Sequence, residues 1–377
     1  MPSDPVQTKP VPTRRPVRSR GKRRRWWLLV VLVAIVAPIA GWVGWSEYHA
    51  PELIKAEAAY ARNDLLSALH AARVHLASRP YSRAATRIAA LSLDRLGHPD
   101  EAETYYEKLG KLDREDRHVR ALALVQANRR DRAISAYNEL LDDHPDDILA
   151  LRRLAAVQIS QKLWADALKT AEQLIAIPAG AVIGHTLAGV VHHDRLDPDS
   201  SVVEFDRVLA LDPAAKAMPL MPRSMFWADY GQDLLAVGRT LDAQKVLHQG
   251  LREGNNARIA DLLGVAYYQQ GAHEDAEVFW KEALRLQPNR GETLWRVGRL
   301  ELQRGKPAEA LEPLKRAVEL EPKSVGPAYS LSLAYRRLGR IDEAEIFRKR
   351  ADQLRAKSPP PPGGMGAVPP PIKNAKE

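Results

Sequence analysis

Histidine and aspartate side chains that could bind a metal or transfer protons stand together at His192-His193-Asp194. Adjacent residues on a helix point about 100° apart, whereas metal ligands on a helix are usually a full turn apart. We therefore expect these three side chains to be solvated surface groups and predict no metal or catalytic site there.

The acidic run Asp142-Asp143-His144-Pro145-Asp146-Asp147 is a second set of potential ligands. Carboxylates bind calcium, but the spacing differs from that of an EF-hand loop. Acidic residues on both sides of a proline are better explained as the end of one helix and the capped start of the next. We predict helix capping and no bound cofactor or metal.

Sequence motifs for catalysis are also missing. The chain has no GxGxxG, Walker, GxSxG or HExxH motif. It has no cysteine, which excludes disulfides, iron–sulfur clusters, thiolate zinc sites and a cysteine nucleophile. These observations predict that the protein is not an enzyme.

The positive charge of the chain lies in its tails. The 377 residues carry a net charge of +9, of which residues 1–25 hold +8 and residues 351–377 hold +2, so that −1 remains for 26–350. A nucleic-acid-binding protein would carry its excess charge on a folded face. We therefore expect no nucleic-acid partner.

An uncharged segment follows the basic N-terminal tail. Residues 26–46, WWLLVVLVAIVAPIAGWVGWS, would span roughly 32 Å as a helix, which matches a bilayer core of about 30 Å. Tryptophans stand at both ends, where indole rings prefer the membrane interface. The segment predicts a transmembrane helix, with residues 1–25 in the cytoplasm by the positive-inside rule and the rest of the chain across the membrane. A buried core helix and a cleaved signal peptide are the alternatives.

A regular repeat runs through the second half of the chain. Gly264, Gly271, Ala276, Ala283 and Pro288 recur, all displaced by one constant interval, as Gly298, Gly305, Ala310, Ala317 and Pro322. The central small residue of each repeat can be followed backward and forward along the chain, at Ala68, Ala102, Ala133, Ala167, Ser201, Ala243, Ala276, Ala310 and Ala344.

This pattern resembles the tetratricopeptide repeat family, whose signature combines Trp, Leu-Gly, Tyr, Ala, an aromatic residue and Pro within a repeat of about 34 residues. The resemblance implies an all-α fold, a right-handed superhelical solenoid of helix-turn-helix repeats. The spacing of the small residues gives about nine repeats, and the transmembrane helix predicted above would precede them. Gly264 and Gly298 would let the two helices of a repeat approach closely, and Gly238, Gly271, Gly305 and Gly339 would form the turns between them.

Two intervals depart from the regular spacing. The interval from Ala102 to Ala133 is shorter than the others and indicates a shortened turn near Gly110–Asp113, whereas the interval from Ser201 to Ala243 is longer and contains a Pro- and Met-rich insert. The insert is either a loop over the core or a hinge that contacts a partner. The predicted organisation is a basic tail (1–25), a transmembrane helix (26–46), five repeats (49–213), the insert (214–224), four repeats (225–357) and a Pro-rich tail (358–377).

The family resemblance implies that ligands bind the concave face, which is lined by the first helix of each repeat. The groove-facing positions of the last three repeats hold Arg258, Tyr268, Gln269, Trp295, Arg299, Gln303, Tyr329, Arg336 and Arg337. Aromatic and Arg side chains dominate binding energy at interfaces. We therefore predict a peptide-binding groove, although Trp295 and Tyr329 could instead pack between adjacent first helices.

The predicted function is a membrane-anchored scaffold that binds a protein or peptide partner on the extracytoplasmic side, most simply at the periplasmic face of a bacterial inner membrane. Two alternatives stay open: a secreted binder with a cleaved signal peptide, and a non-catalytic subunit of an envelope enzyme or assembly complex.

Overall fold

The computed structural model describes residues 50–216 and 221–357, which form α-helices and no strand. None of the helices in these two ranges has the length and apolar character needed to cross a bilayer. The predicted basic tail, the predicted transmembrane helix at 26–46, and the Pro-rich tail lie outside the described residues, as do four residues of the insert.

The chain divides into two compact units, 1–136 and 137–377, with the boundary inside α6. The N-terminal unit contains α1 (Pro51–Ala61), α2 (Leu65–Ser78), α3 (Arg83–Arg95), α4 (Pro99–Leu109), α5 (Arg114–Gln126) and the first half of α6 (Arg130–Asp143). The C-terminal unit continues with α7 (Ile148–Ser160), α8 (Trp164–Ile175), α9 (Ala181–Asp194), α10 (Pro198–Leu211), α11 (Arg223–Ala236), α12 (Thr240–Glu253), α13 (Ala257–Gln269), α14 (His273–Leu286), α15 (Gly291–Gln303), α16 (Pro307–Leu320), α17 (Val325–Arg337) and α18 (Ile341–Lys357). The predicted division at the insert stays a prediction.

Each odd-numbered helix leads through a short turn into the even-numbered helix that follows, and we call the two the first and second helix of a hairpin. The small residue that marks each predicted repeat is the fourth residue of a second helix throughout the described chain. All of these residues are buried, which explains why only Ala or Ser occurs at this position: Ala68, Ala102, Ala133, Ala167, Ser201, Ala243, Ala276, Ala310 and Ala344.

The turn inside each hairpin places one residue in the left-handed conformation, five residues before the buried small residue. Gly97, Gly238, Gly271, Gly305 and Gly339 have φ between 72° and 84° there, as predicted for the last four. The remaining hairpins use residues with a Cβ at the same place, for which this conformation is strained. These residues are Asn63, Asn128, Lys162 and Leu196.

The two helices of a hairpin touch where a glycine faces a bulky side chain. A Cβ on Gly298 would lie 2.5 Å from Cγ of Leu314, and a Cβ on Gly264 would overlap the Trp280 ring. Trp280 is buried and donates a hydrogen bond from Nε1 to the Asp261 carbonyl at 3.2 Å. The predicted close approach at Gly264 and Gly298 is therefore present.

The short interval between Ala102 and Ala133 has a different cause from the one predicted. The connection at 110–113 has four residues, like the connection at 287–290. The missing residues come from α4, which has 11 residues, whereas α14 has 14. α4 ends early because Gly110 takes a positive φ of 67° directly after Leu109. The predicted shortened turn is therefore wrong, and the helix is shortened instead.

The insert lengthens the connection between α10 and α11 without interrupting the core. α10 ends at Leu211 and α11 begins at Arg223. Phe205 on α10 packs edge-to-face against Phe226 on α11, with ring centroids 5.2 Å apart, and both rings are fully buried. The same hydrophobic cluster continues into α13 through Leu263.

One buried carboxylate in the N-terminal unit has no ionic partner among residues 50–136. Asp94 on α3 is 1% exposed and accepts a hydrogen bond from the Tyr106 hydroxyl on α4. Its second oxygen, Oδ1, has no hydrogen-bond partner among the described residues. Burial raises the pKa of Asp94 to about 7, even though the hydrogen bond from Tyr106 opposes this effect.

We expect Leu196→Gly to raise the free energy of unfolding by about 1 kcal/mol, because glycine adopts the left-handed turn without strain. Leu196 is 80% exposed, so its removal sacrifices little burial. Leu241→Gly is the matched control: Leu241 is also exposed but is the second residue of α12, where glycine relieves no strain and should not stabilise the fold. Urea denaturation of the three proteins measures both changes, and equal effects in the two variants would contradict the account of the turn.

We expect the stability of the N-terminal unit to fall as the pH rises from about 4 to about 7. The folded state keeps the proton of Asp94 to a higher pH than the unfolded state, whose pKa is near 3.8, so ionisation favours unfolding in this window. Asp94→Asn should remove this fall, whereas Glu57→Gln on the exposed side of α1 should leave it unchanged. Denaturation curves at several pH values test this, and an unchanged pH dependence in Asp94→Asn would contradict it.

Candidate functional site

The nine predicted groove residues all lie on first helices of the C-terminal unit. α13 carries Arg258, Tyr268 and Gln269, α15 carries Trp295, Arg299 and Gln303, and α17 carries Tyr329, Arg336 and Arg337. α15 packs directly against α17. Their common face is the candidate site.

Trp295 and Arg299 form the centre of this face. The indole Nε1 of Trp295 on α15 donates a hydrogen bond to Ser330 Oγ on α17 at 2.8 Å. The ring lies so close to Gly326 that a Cβ there would be 2.6 Å from it. The guanidinium carbon of Arg299 lies 5.1 Å from the centre of the ring, within the range of a cation–π interaction. Trp295 thus packs between two first helices and also supports Arg299.

Arg299 is a partly buried cation that has no counterion among the described residues. No carboxylate in the described part of the chain forms an ion pair with it, and its charged neighbour is a second cation, Arg296. Burial lowers the pKa of Arg299, and the charge of Arg296 lowers it further, while Tyr268 opposes the change. Arginine stays protonated in proteins, so the site holds a positive charge that a ligand carboxylate could neutralise.

Three of the predicted groove residues are engaged within the protein. Arg258 pairs with Asp229 on α11 at 2.6 Å, Gln269 accepts a hydrogen bond from Thr240 at 2.9 Å, and Arg337 donates to the Leu302 carbonyl.

The other predicted residues are differently placed. Gln303 and Arg336 are exposed, whereas Tyr329 is half-buried against the core of the last hairpins. Tyr268 lies against Trp280, with ring centroids 5.6 Å apart. We call Tyr268, Trp295 and Arg299 the Arg299 site. Its role in binding stays a prediction.

A network of buried charges that the sequence analysis missed joins three successive first helices. His193 on α9 contacts Asp233 on α11 through Nδ1 at 2.9 Å and Asp229 through Nε2 at 3.5 Å. Asp229 then pairs with Arg258 on α13. Ser201 donates a hydrogen bond to Asp233 at 2.6 Å. Two carboxylates and two cations therefore balance when His193 is protonated.

The expectation that His192-His193-Asp194 is solvated surface is wrong for the two histidines. Only 16% of the His193 side chain is exposed, and His192 is also largely covered and pairs with Asp197 at 3.1 Å. The two rings contact different partners, as expected for adjacent residues on a helix. No cluster of potential metal ligands occurs in residues 50–216 and 221–357.

Another buried carboxylate, Asp261 on α13, ties this helix to α15. Asp261 accepts a hydrogen bond from Arg296 at 2.7 Å and another from the Thr293 hydroxyl at 2.9 Å.

The sequence contains one signal for the buried carboxylates of the network, since Asp229 and Asp233 stand one helical turn apart on a first helix. Their partners lie in neighbouring hairpins, 40 residues earlier at His193 and 29 residues later at Arg258.

Comparison with known proteins agrees with the repeat pattern seen in the sequence. The tetratricopeptide repeat profile matches residues 118–182, 229–291 and 296–359, about half of the chain, so the number of nine repeats stays a prediction. No curated protein matches. Among solved structures, a crystal structure of MamA is similar over 45% of this chain and 95% of its own, at 20% identity and a TM-score of 0.38. A tetratricopeptide repeat protein from Parabacteroides merdae ATCC 43184 is similar over 64% of this chain and 94% of its own, at 17% identity and a TM-score of 0.41.

We expect the His193 network to stabilise the C-terminal unit more at low than at high pH. Burial alone would lower the pKa of His193, but the hydrogen bond and charge of Asp233, with the charge of Asp229, outweigh it and raise the pKa. A histidine whose pKa is higher in the folded state stabilises the fold below its unfolded pKa of about 6.5, and this contribution is lost as the pH rises through the folded value.

The variant His193→Gln should therefore lose stability at about pH 6 and differ little from the wild type at about pH 9. Urea denaturation at the two pH values measures this, with His144→Gln in the connection before α7 as the control. Equal destabilisation by His193→Gln at both values would show that the charge of His193 contributes nothing.

Proposed function

Because this chain belongs to the tetratricopeptide repeat family, we propose that it is a membrane-anchored scaffold that binds a protein or peptide partner on the first helices α13, α15 and α17. Repeats of this family are typical of protein–protein interaction scaffolds. The observation that carries the proposal is the uncompensated Arg299 cation, held against Trp295 on the candidate face.

The partner that suits this face is a peptide segment with a carboxylate side chain. A half-buried guanidinium without a counterion costs solvation free energy that a bound carboxylate restores. Two further arginines on the last first helix, Arg336 and Arg337, have no carboxylate partner within hydrogen-bonding distance among the described residues. Acidic side chains elsewhere on the face are already paired, since Asp261 and Glu292 both contact Arg296.

The carboxylate would be recognised differently from the way in which some family members hold a peptide C-terminus. Those proteins use a clamp of Lys and Asn residues, and the groove positions of this chain contain no Asn. Here the Arg299 guanidinium would form a planar, bidentate ion pair with the carboxylate, while Trp295 and Tyr268 would supply apolar contacts.

The proposed location of the scaffold rests on the sequence before α1. The uncharged segment 26–46 with its basic N-terminal flank supports a single membrane anchor, with the helical repeats on the extracytoplasmic side. On this proposal the partner is an extracytoplasmic or membrane protein, in a bacterium a protein of the inner membrane or periplasm.

We expect Trp295→Ala combined with Arg299→Ala to reduce partner recovery in a pull-down from membranes by at least about tenfold, because aromatic and Arg side chains at the centre of an interface contribute most of its binding energy. The partner is identified by mass spectrometry of the wild-type sample, and its amount is then compared between variants.

The matched control is Trp164→Ala combined with Arg285→Ala, which removes the same residue types from second helices. Thermal unfolding of each variant shows whether the fold is retained. Equal partner recovery by wild type, test variant and control would contradict binding at the Arg299 site.

A further inference from the structure

The start of α1 lies at the same end of the N-terminal unit as the connections that join one hairpin to the next. α1 begins at Pro51, and because α2 runs back along it, α2 ends near the same place, at Ser78. The Arg83 guanidinium at the start of α3 donates hydrogen bonds to the carbonyls of Leu109 and Lys111, at 2.6 and 2.7 Å. The end of α4 therefore lies at this end as well.

The connection between α2 and α3 at this end is basic and aromatic. Tyr81, in the connection between α2 and α3, is 98% exposed. It stands between Arg79 and Arg83 in the sequence SRPYSR, which has no acidic residue. Lys108 lies over the Tyr105 ring, 5.4 Å from its centre, and forms no ion pair with a described carboxylate. Cation and aromatic side chains thus share one face.

An open cavity of about 540 Å³ lies within this surface. Pro80, Tyr81 and Lys108 surround it, together with Arg83, Thr86 and Leu109. Its lining combines apolar carbons, an aromatic ring and cationic groups, the combination that accommodates a phosphate-bearing headgroup with its glycerol backbone.

The predicted membrane anchor ends close to this surface. Only residues 47–50 separate the uncharged segment 26–46 from Pro51. An extended chain covers at most about 3.6 Å per residue, so Pro51 lies within roughly 18 Å of the anchor's end. The opposite end of the same hairpins carries both signs of charge near its turns, since Asp100 pairs there with Arg129 and Arg132. It is also farther from the anchor by the length of α1.

We propose that this end of the N-terminal unit binds the anionic headgroups of the membrane in which the chain is anchored, an inference that rests on the proposed membrane anchor. Tyr81 lies at the level of the headgroups, where tyrosine is favoured. Arg79, Lys108 and Lys111 contact lipid phosphates, because an anionic membrane attracts basic residues that lie within a Debye length of its surface. The contact fixes the orientation of the first hairpins relative to the bilayer.

The absence of cysteine from the sequence permits a direct test on the full-length chain. Tyr81→Cys and, at the opposite end, His98→Cys are each labelled with an environment-sensitive fluorophore and reconstituted into vesicles that contain a lipid with a nitroxide on its headgroup. We expect at least about twofold stronger quenching at position 81 than at position 98 in vesicles rich in phosphatidylglycerol. Quenching at position 81 should decrease in phosphatidylcholine vesicles, at high salt, and after Arg79→Gln combined with Lys108→Gln.

Equal quenching at positions 81 and 98 would overturn the proposal. So would quenching at position 81 that does not depend on lipid charge, because the anchor alone would then hold the dye near the membrane. A fluorescence change at position 81 on addition of poly-Glu but not of vesicles would assign the surface to an acidic protein partner instead.

Vesicle flotation of the unlabelled chain separates this proposal from the function on which it rests. A chain that does not float has no anchor, and the headgroup contact falls with it. If the chain floats but quenching does not differ between positions 81 and 98, only the proposed headgroup contact is contradicted. Partner recovery through the Arg299 site is measured independently of flotation and of quenching.

Discussion

The close approach of two helices at a small residue is the constraint on which the structure depends. Neighbouring helices normally lie about 8–10 Å apart, depending on the side chains between them. In this chain the fourth residue of every described second helix is a buried Ala or Ser, and glycines such as Gly264 and Gly298 face Trp280 and Leu314 directly. A larger side chain at these positions would separate the helices and expose the apolar faces that successive hairpins bury between them.

The local part of this arrangement could be predicted from the sequence because its signals are short-range and recur. The alanine series gives the position of each second helix, and glycines such as Gly271 and Gly305 mark left-handed turns that the structure contains. The prediction was wrong for the short interval before Ala133, since spacing alone does not show whether a turn or a helix loses residues. The early end of α4 depends on the positive φ of Gly110, which a spacing argument does not include.

The charge network could not be predicted in the same way, because its members come from different hairpins. His193 was predicted to be a surface residue because its neighbours in the sequence give no sign of burial. In the structure it contacts Asp233 and Asp229 on the next first helix. Arg258 was predicted as a groove residue, but it pairs with Asp229. Arg299 also lies on a first helix but has no carboxylate partner among the described residues. Whether such an arginine is paired within the fold therefore depends on contacts with neighbouring hairpins, far away in the sequence.

The central claim is that the first helices α13, α15 and α17 present a binding surface while the second helices do not. The most direct measurement places a photo-crosslinking amino acid in the full-length chain in cells, at Gln303 on the candidate face or at the exposed Val278 on second helix α14. The account predicts a discrete crosslinked product from position 303 that disappears when Arg299 is replaced by alanine, and none from position 278. A product from position 278 alone, or one from position 303 that persists without Arg299, would contradict it.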